Sequence, residues 1–295
     1  EKPGITHEDL KDLMVEIPDE NDPDKDHYQA VWKKYNAFCS HLREYHCDVW
    51  VKNEQGLSDL YRIVTEGHTT YFSKIPKTPR ELIEKYRSNF IVGSACFNSE
   101  IFEIARNRTR EELVKAMEFY DYIEIQPIEN YSFLVDMGRV DSRERLIEIL
   151  KDIIEAASIA GKKIIATGDC HYLNPDDKIL RDIYISTLVP SIGRHPLNPG
   201  ARANLSFENP DQHFRSTQEM VDSFSAWLDD KDFIEQIVID NPKEIADSVD
   251  VLEPVKDDLF KPDANLPHSD TTLRELCESN FDARYRGNPD PEVQK

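Results

Sequence analysis

The chain has 295 residues, with 57 acids against 36 bases and a formal net charge of −21. Apolar residues make up 39% of it and charged residues 32%, which allows a core but demands a heavily charged surface. A field of that sign repels nucleic acid and anionic membranes, and no apolar run approaches the ~20 residues needed to span a bilayer.

Residues 1–30 hold Pro3, Pro18 and Pro23 among acids, with one short apolar cluster at Leu10, Leu13, Met14 and Val15. One marginal helix is expected there, followed by the Asp19–Asp26 run as a solvated acidic loop. A helix over Tyr28–Tyr45 follows, with Val31, Trp32, Tyr35, Phe38 and Leu42 on one face. His46–Asn53 reads as a buried strand and Leu57–Glu66 as a helix. Thr78-Pro79-Arg80-Glu81 has the form of a capping box opening a helix to Arg87. Phe90–Gly93 is a short strand ending in the small, polar tip Ser94-Ala95-Cys96. Thr109 caps a helix to Phe119, and Tyr122–Pro127 is a strand alternating around Glu124. Asp141-Ser142-Arg143-Glu144 caps a long helix, Arg145–Ala160, with a stripe at Leu146, Ile149, Leu150, Ile153, Ile154 and Ala157. Gly161 ends that helix.

The stretch Lys163–Leu173 is the centre of the chain. An apolar strand breaks at Gly168 and delivers Asp169, Cys170 and His171 in succession. In extended chain, side chains at i and i+2 share a face, so Asp169 and His171 can point at one metal ion. Asn174-Pro175-Asp176-Asp177 then starts a helix. Residues 188–213 are a Pro/Gly/Asn-rich surface loop. Ser216 caps a helix to Trp227, and two more helices, Asp232–Ile239 and Lys243–Val249, are separated by Asn241-Pro242. An irregular stretch, Pro254–Pro267, precedes a last helix, Thr271–Tyr285.

Strand and helix alternate at least four times with short links, the pattern of a parallel α/β sheet or barrel, and chemistry in such folds gathers at the carboxyl ends of the strands. His46, Cys96, Glu124, Asp169 and His171 all lie at strand edges. Each has a plain structural reading: surface strand entry for His46, a small buried hydrophobe for Cys96, a salt-bridged wall residue for Glu124. Together, a histidine, a cysteine and Asp-x-His on separate strands suit Zn²⁺, Mn²⁺ or Fe²⁺, which would activate water against a phosphoester. The five cysteines, Cys39, Cys47, Cys96, Cys170 and Cys277, are scattered and without C-x-x-C pairs, as for free thiols in a reducing cytosol. No phosphate-binding loop, dinucleotide fingerprint or nucleophile elbow is present, and no D-x-D supplies paired carboxylates on neighbouring expected strands.

The order of these motifs resembles a known family. His46–Asn53 runs into Glu54-Gln55-Gly56-Leu57-Ser58-Asp59-Leu60-Tyr61. Gly67-His68-Thr69-Thr70-Tyr71-Phe72, Pro76-Lys77-Thr78-Pro79 and Val92-Gly93-Ser94-Ala95-Cys96 follow. Then come Phe119–Pro127, Ala166–Leu173, Phe214–Met220 and Lys256–Pro262. This series resembles the PHP (polymerase and histidinol phosphatase) domain of the bacterial replicative DNA polymerase III alpha subunit, PolC type, over about residues 46–290. The resemblance implies a partial, distorted (β/α)₇ barrel with a trinuclear metal cluster at its mouth, and His46, Cys96, Asp169 and His171 as ligands. Glu124 has no such role in it.

The family's opening strand with its H-x-H motif, and the next ligand-bearing strand, are absent here. Glu1 in place of methionine fits a piece that starts after the exonuclease inserted in that domain and stops before the Mg²⁺-dependent polymerase palm. The expected layout is an acidic leading segment at 1–45, the later part of the PHP-like domain at 46–262, and a linker and helix at 263–295. The expected role is a cytoplasmic, bacterial scaffold for the rest of the polymerase chain and its exonuclease. DNA would be met only through the parent, with no membrane contact, no catalysis by the piece alone, and self-association through open strand edges. The alternatives are a metal-dependent PHP-type phosphoesterase and a metal-free interaction module.

Overall fold

The computed structural model describes residues 43–72, 75–189, 193–195, 197, 209–255, 257 and 268–285. The two helices expected before Tyr45 lie almost wholly outside these residues, and 43–45 are not helical. Two units are distinguished, Glu1–Leu252 and Glu253–Lys295. Among the described residues, the second contains the helix Ser269–Tyr285, none of whose residues is buried.

The first unit is a mixed α/β body around a four-stranded sheet: β1 (Asp48–Val51), β2 (Phe90–Gly93), β3 (Tyr122–Ile125) and β4 (Lys163–Ala166), in that spatial order. β2, β3 and β4 run parallel. β1 departs from the expectation: it pairs antiparallel to β2, with Asp48 opposite Gly93 and Val51 opposite Phe90. Among the described residues it is an edge strand rather than a buried one, and Trp50 is 53% exposed. Its apolar run reflects a single covered face, which continuous hydrophobicity alone does not distinguish from burial on both sides.

β2 and β3 are buried at every position, so the alternation along them sorts two packed faces. Phe90, Val92, Ile123, Ile125 and Ile164 enter the main core. Ile91, Tyr122 and Ile165 form a second cluster capped by Ile245 and Val249. Burying an aliphatic side chain of this size contributes about 1.5–3 kcal/mol, so both faces stabilise the sheet.

The helices are α1 (Glu54–His68), α2 (Arg80–Lys85), α3 (Glu100–Asn107), α4 (Arg110–Ala116), α5 (Phe133–Asp136) and α6 (Arg143–Ile159). α7 (Lys178–Ser186), α8 (Thr217–Ser225), α9 (Lys231–Glu235), α10 (Asn241–Asp247) and α11 (Ser269–Tyr285) complete them. α1 begins earlier than expected because Asn53, read as the end of a strand, accepts from the Gly56 N–H and caps the helix. At α2 the expected capping box does not form: Pro79 occupies the cap position without a side-chain bond. Boxes do form at Thr109 and Ser216. α3 was not expected, although Ser99 caps it through the Phe102 N–H. The break expected at Asn241-Pro242 is instead continuous helix, because a π turn over Gln236–Asp240 connects α9 to α10. Pro242 is the second residue of α10, directly after that π turn. The freed Asn241 side chain donates to the Ile164 carbonyl at 2.7 Å and ties this helix to β4.

Gly93 is required by close approach. A Cβ built there would lie 2.3 Å from the Tyr122 ring. That ring is 1% exposed, and its hydroxyl accepts from the Trp50 indole at 2.7 Å, so it has little room to swing away. Gly93→Ala is expected to lower stability by about 1–3 kcal/mol, read as a drop in the urea midpoint; an unchanged midpoint would show that the ring yields freely.

Candidate functional site

The carboxyl ends of β2 and β4 carry the expected tips. After β2 the chain turns at Ala95 in the left-handed region, φ 58°. Cys96 is thereby presented with its Sγ 3.3 Å from His46 Nδ1. His46 precedes β1 and forms an isolated parallel bridge with Ser99, its N–H donating to the Asn98 carbonyl at 3.1 Å. Burial pushes the Cys96 thiol up to about 11, and the carboxylates of Asp169 and Asp48 add to the rise. A thiol so placed is protonated at neutral pH and is a poor nucleophile.

After β4, Thr167 N–H still donates to the Ile125 carbonyl at 3.0 Å. Asp169 then takes φ 46°. Its Oδ1 lies 3.4 Å from His171 Nε2, and its Oδ2 accepts from Gln212 Nε2 at 2.7 Å. Asp169 and His171 do converge, but through this left-handed turn and not through the extended i, i+2 geometry expected of the strand.

What holds the turn was not legible in the sequence. Residues 211–215, of which 211–213 were expected as the end of a loop, run beside 171–173. His171 N–H donates to the Gln212 carbonyl at 2.8 Å, Phe214 N–H donates to Tyr172 at 2.9 Å, and Tyr172 bridges His213 in parallel. Asn130, fully buried, donates through Nδ2 to the Gly168 carbonyl at 2.8 Å and accepts from Arg215 at 3.3 Å. Arg215 also donates to the Asp211 carbonyl at 2.8 Å. Asp211 accepts from the Tyr172 hydroxyl at 3.0 Å and lies 2.9 Å from His213 Nδ1. Its carboxyl is held below the usual range because these hydrogen bonds outweigh the opposing effect of burial.

Glu124 is not the salt-bridged wall residue expected. It is 7% exposed and accepts from Thr167 Oγ1 at 2.8 Å. Desolvation first, then the adjacent Asp48 carboxyl, raise its pKa from 4.5 to about 8. Two carboxyl groups in one dry pocket share a proton more readily than they both ionise. Asp48 could have been found from its place two residues after His46, at the start of β1; Asn130, Gln212 and Arg215 lack such a signal.

A resident metal is tested by these donors. Among the described residues, no group of three or more His, Cys, Asp or Glu side chains is arranged to hold an ion. The four expected ligands form two pairs, His46 with Cys96 and Asp169 with His171. Zinc sites use three or four protein ligands, so neither pair fits a metal centre by itself.

Two outcomes follow from this network. Glu124 has a folded-state pKa above its unfolded one, so its contribution to stability is intact below 4.5 and is lost as pH rises through about 8. Glu124→Gln is expected to flatten that fall in urea titrations between these limits; an unchanged slope would contradict the neutral buried acid. Asn130→Ala leaves the Gly168 carbonyl and the Arg215 guanidinium without this partner. It is expected to cost about 1–3 kcal/mol, read by thermal denaturation.

Comparison with known proteins agrees with this frame. Residues 11–128 match the PHP domain family, a match that begins inside the acidic leading segment and ends before the Asp169 tip. The chain is 36% identical over 251 residues to the PolC-type DNA polymerase III of Oceanobacillus iheyensis, covering 85% of this chain and 16% of that protein. The Bacillus subtilis PolC-type DNA polymerase III gives the same identity and coverage. That of Streptococcus sanguinis is 32% identical over 302 aligned positions, 99% of this chain and 18% of the relative. The chain thus spans about a sixth of the length of the curated relatives it matches. It carries a PHP domain and belongs, by homology over most of its length, to the PolC-type DNA polymerase III family.

Proposed function

We propose that this chain is the later part of the PHP domain, with the lead toward the palm, of a PolC-type replicative DNA polymerase of the bacterial cytoplasm. Its work there is structural: it braces the polymerase and its proofreading exonuclease, and DNA is met through the parent and not through this acidic segment. The observation that carries the reading is collinear similarity at 36% identity over 251 residues. A mixed α/β body around a four-stranded sheet is consistent with a PHP-type fold and so supports this reading. The net charge of −21 suits a scaffold better than a polyanion-binding face.

In this reading the two donor pairs are half of a metal cluster whose other ligands lie in the earlier part of the domain. A bound transition metal there would supply an activated water. In this chain the protein's own contribution is to orient the donors: Gln212 fixes the Asp169 carboxylate, and the Ser99 bridge fixes His46 beside Cys96. The Glu124 and Asp48 carboxyls lie outside this set and serve the sheet.

Metal content of the purified chain by plasma mass spectrometry tests the half-site. Well under one transition metal ion per chain is expected, unchanged by Asp169→Ala/His171→Ala. A content approaching one, lost in the double variant together with Mn²⁺-dependent phosphoesterase activity, would overturn the scaffold reading. Primer extension by the chain alone is expected to be nil.

A further inference from the structure

Among the described residues, the four-stranded sheet ends in β1 on one side and β4 on the other, and the two edges are finished differently. On β4, Thr167 N–H donates to the Ile125 carbonyl, so Lys163, Ile165 and Thr167 bond β3 and the Ile164 carbonyl points outward. Asn241 Nδ2 takes that carbonyl at 2.7 Å, a side-chain plug of the kind that blunts an edge. On β1, Lys52 N–H donates to the Asn89 carbonyl at 3.0 Å, which puts Asp48, Trp50 and Lys52 in the ladder to β2. The alternation along β2 agrees, because Val92, opposite Val49, turns its N–H and carbonyl to Asp121 on the β3 side. The backbone groups of Val49 and Val51 therefore face away from the sheet, and nothing among the described residues plugs them. Asp250 N–H meets the chain only past β1, at the Lys52 carbonyl, 2.9 Å.

The letters of this edge are complementary to themselves. Asp48-Val49-Trp50-Val51-Lys52 carries a β-branched residue on each side of Trp50 and opposite charges at its ends. Laid antiparallel against its own copy about a two-fold axis at Trp50, each Val49 exchanges backbone hydrogen bonds with Val51 of the other chain. Trp50 then faces Trp50 at a position without backbone bonds, where cross-strand side chains approach most closely. Lys52 falls opposite Asp48 on the same face. Lys52 has no carboxylate partner among the described residues and donates to the Ser88 carbonyl at 3.3 Å. Trp50, half exposed, is held upright by its indole bond to the Tyr122 hydroxyl.

We propose that the outer edge of β1 is an interface for a second copy of this chain, which joins the two sheets through an antiparallel β1–β1 pair centred on Trp50. The β4 edge takes no part, because Asn241 occupies it. The closed pair uses the same surface on both chains, as a two-fold dimer requires, and leaves no outward group of Val49 or Val51 for a third strand. The inference stands on the strand edge alone and is independent of the scaffold reading.

Sedimentation equilibrium of the whole chain over a concentration series tests it, in salt that screens the mutual repulsion of two acidic chains. A monomer–dimer equilibrium that moves toward monomer on dilution is expected, because pairing through single strands makes a small interface. Val49→Pro removes an outward N–H, a change that an edge strand tolerates, and should leave the chain monomeric. Lys52→Asp sets like charges opposite each other and should weaken the dimer by about tenfold. Urea denaturation checks that both variants fold. Monomer at every concentration would overturn the proposal. A dimer unchanged in folded Val49→Pro would place the contact on another surface and overturn it equally, and one unchanged in Lys52→Asp would overturn the register about Trp50.

Discussion

The parallel ladder between β3 and β4 is the constraint on which the rest depends. Its register sets Glu124 opposite Ile165 and Ile125 opposite Ala166. With that pairing fixed, Thr167 is brought to the Glu124 carboxyl and the next residues leave the sheet where Asn130 can take the Gly168 carbonyl. A slip of one residue would exchange the two faces of β4, sending Ile165 into the main core and Ile164 toward Tyr122. The polar tip is therefore a product of apolar register. Chemistry-bearing residues sit at one end because the aliphatic pattern behind them leaves no other solution.

Much of the frame could be read directly from the sequence. β2, β3, β4, α6 and the Ser216 cap follow from short apolar runs and S/T-x-x-E signatures, signals that local physics imposes. The errors have causes of their own. β1 looked buried because an edge strand with one covered face can carry the same letters as a central one. Asn241-Pro242 looked like a break because proline usually ends helices; a π turn, invisible to a 3.6-residue period, carried the helix through. At the site, His46, Cys96, Asp169 and His171 were found by residue type and strand position. The residues that orient them, Asn130, Gln212 and Arg215, come from segments 38 to 85 positions distant from their partners. No local pattern reports a contact of that kind.

The electrostatics divide into two regimes. The chain carries 57 acids against 36 bases, and those in contact with water are solvated and screened. In the interior the same chain treats charge sparingly. Glu124 is pressed toward its neutral form, and the buried Arg215 is surrounded by oxygen acceptors from Asn130 and Asp211. Buried charge without such partners costs several kcal/mol, and this explains why the segment 211–215 keeps its course beside 171–173.

The indole of Trp50 carries a further consequence. The chain has three tryptophans, of which Trp50 lies at the sheet edge, half in water, with its N–H on the Tyr122 hydroxyl, and Trp227 is buried in the main core. The two packed faces of the sheet thus each hold a fluorophore in a different environment, one polar and one dry. Emission from Trp50 reports the seating of the Tyr122 face, and emission from Trp227 reports the opposite core. With Trp32 replaced as well, selective replacement of either makes the two halves of the sheet separately visible in the same folding experiment, without any added dye.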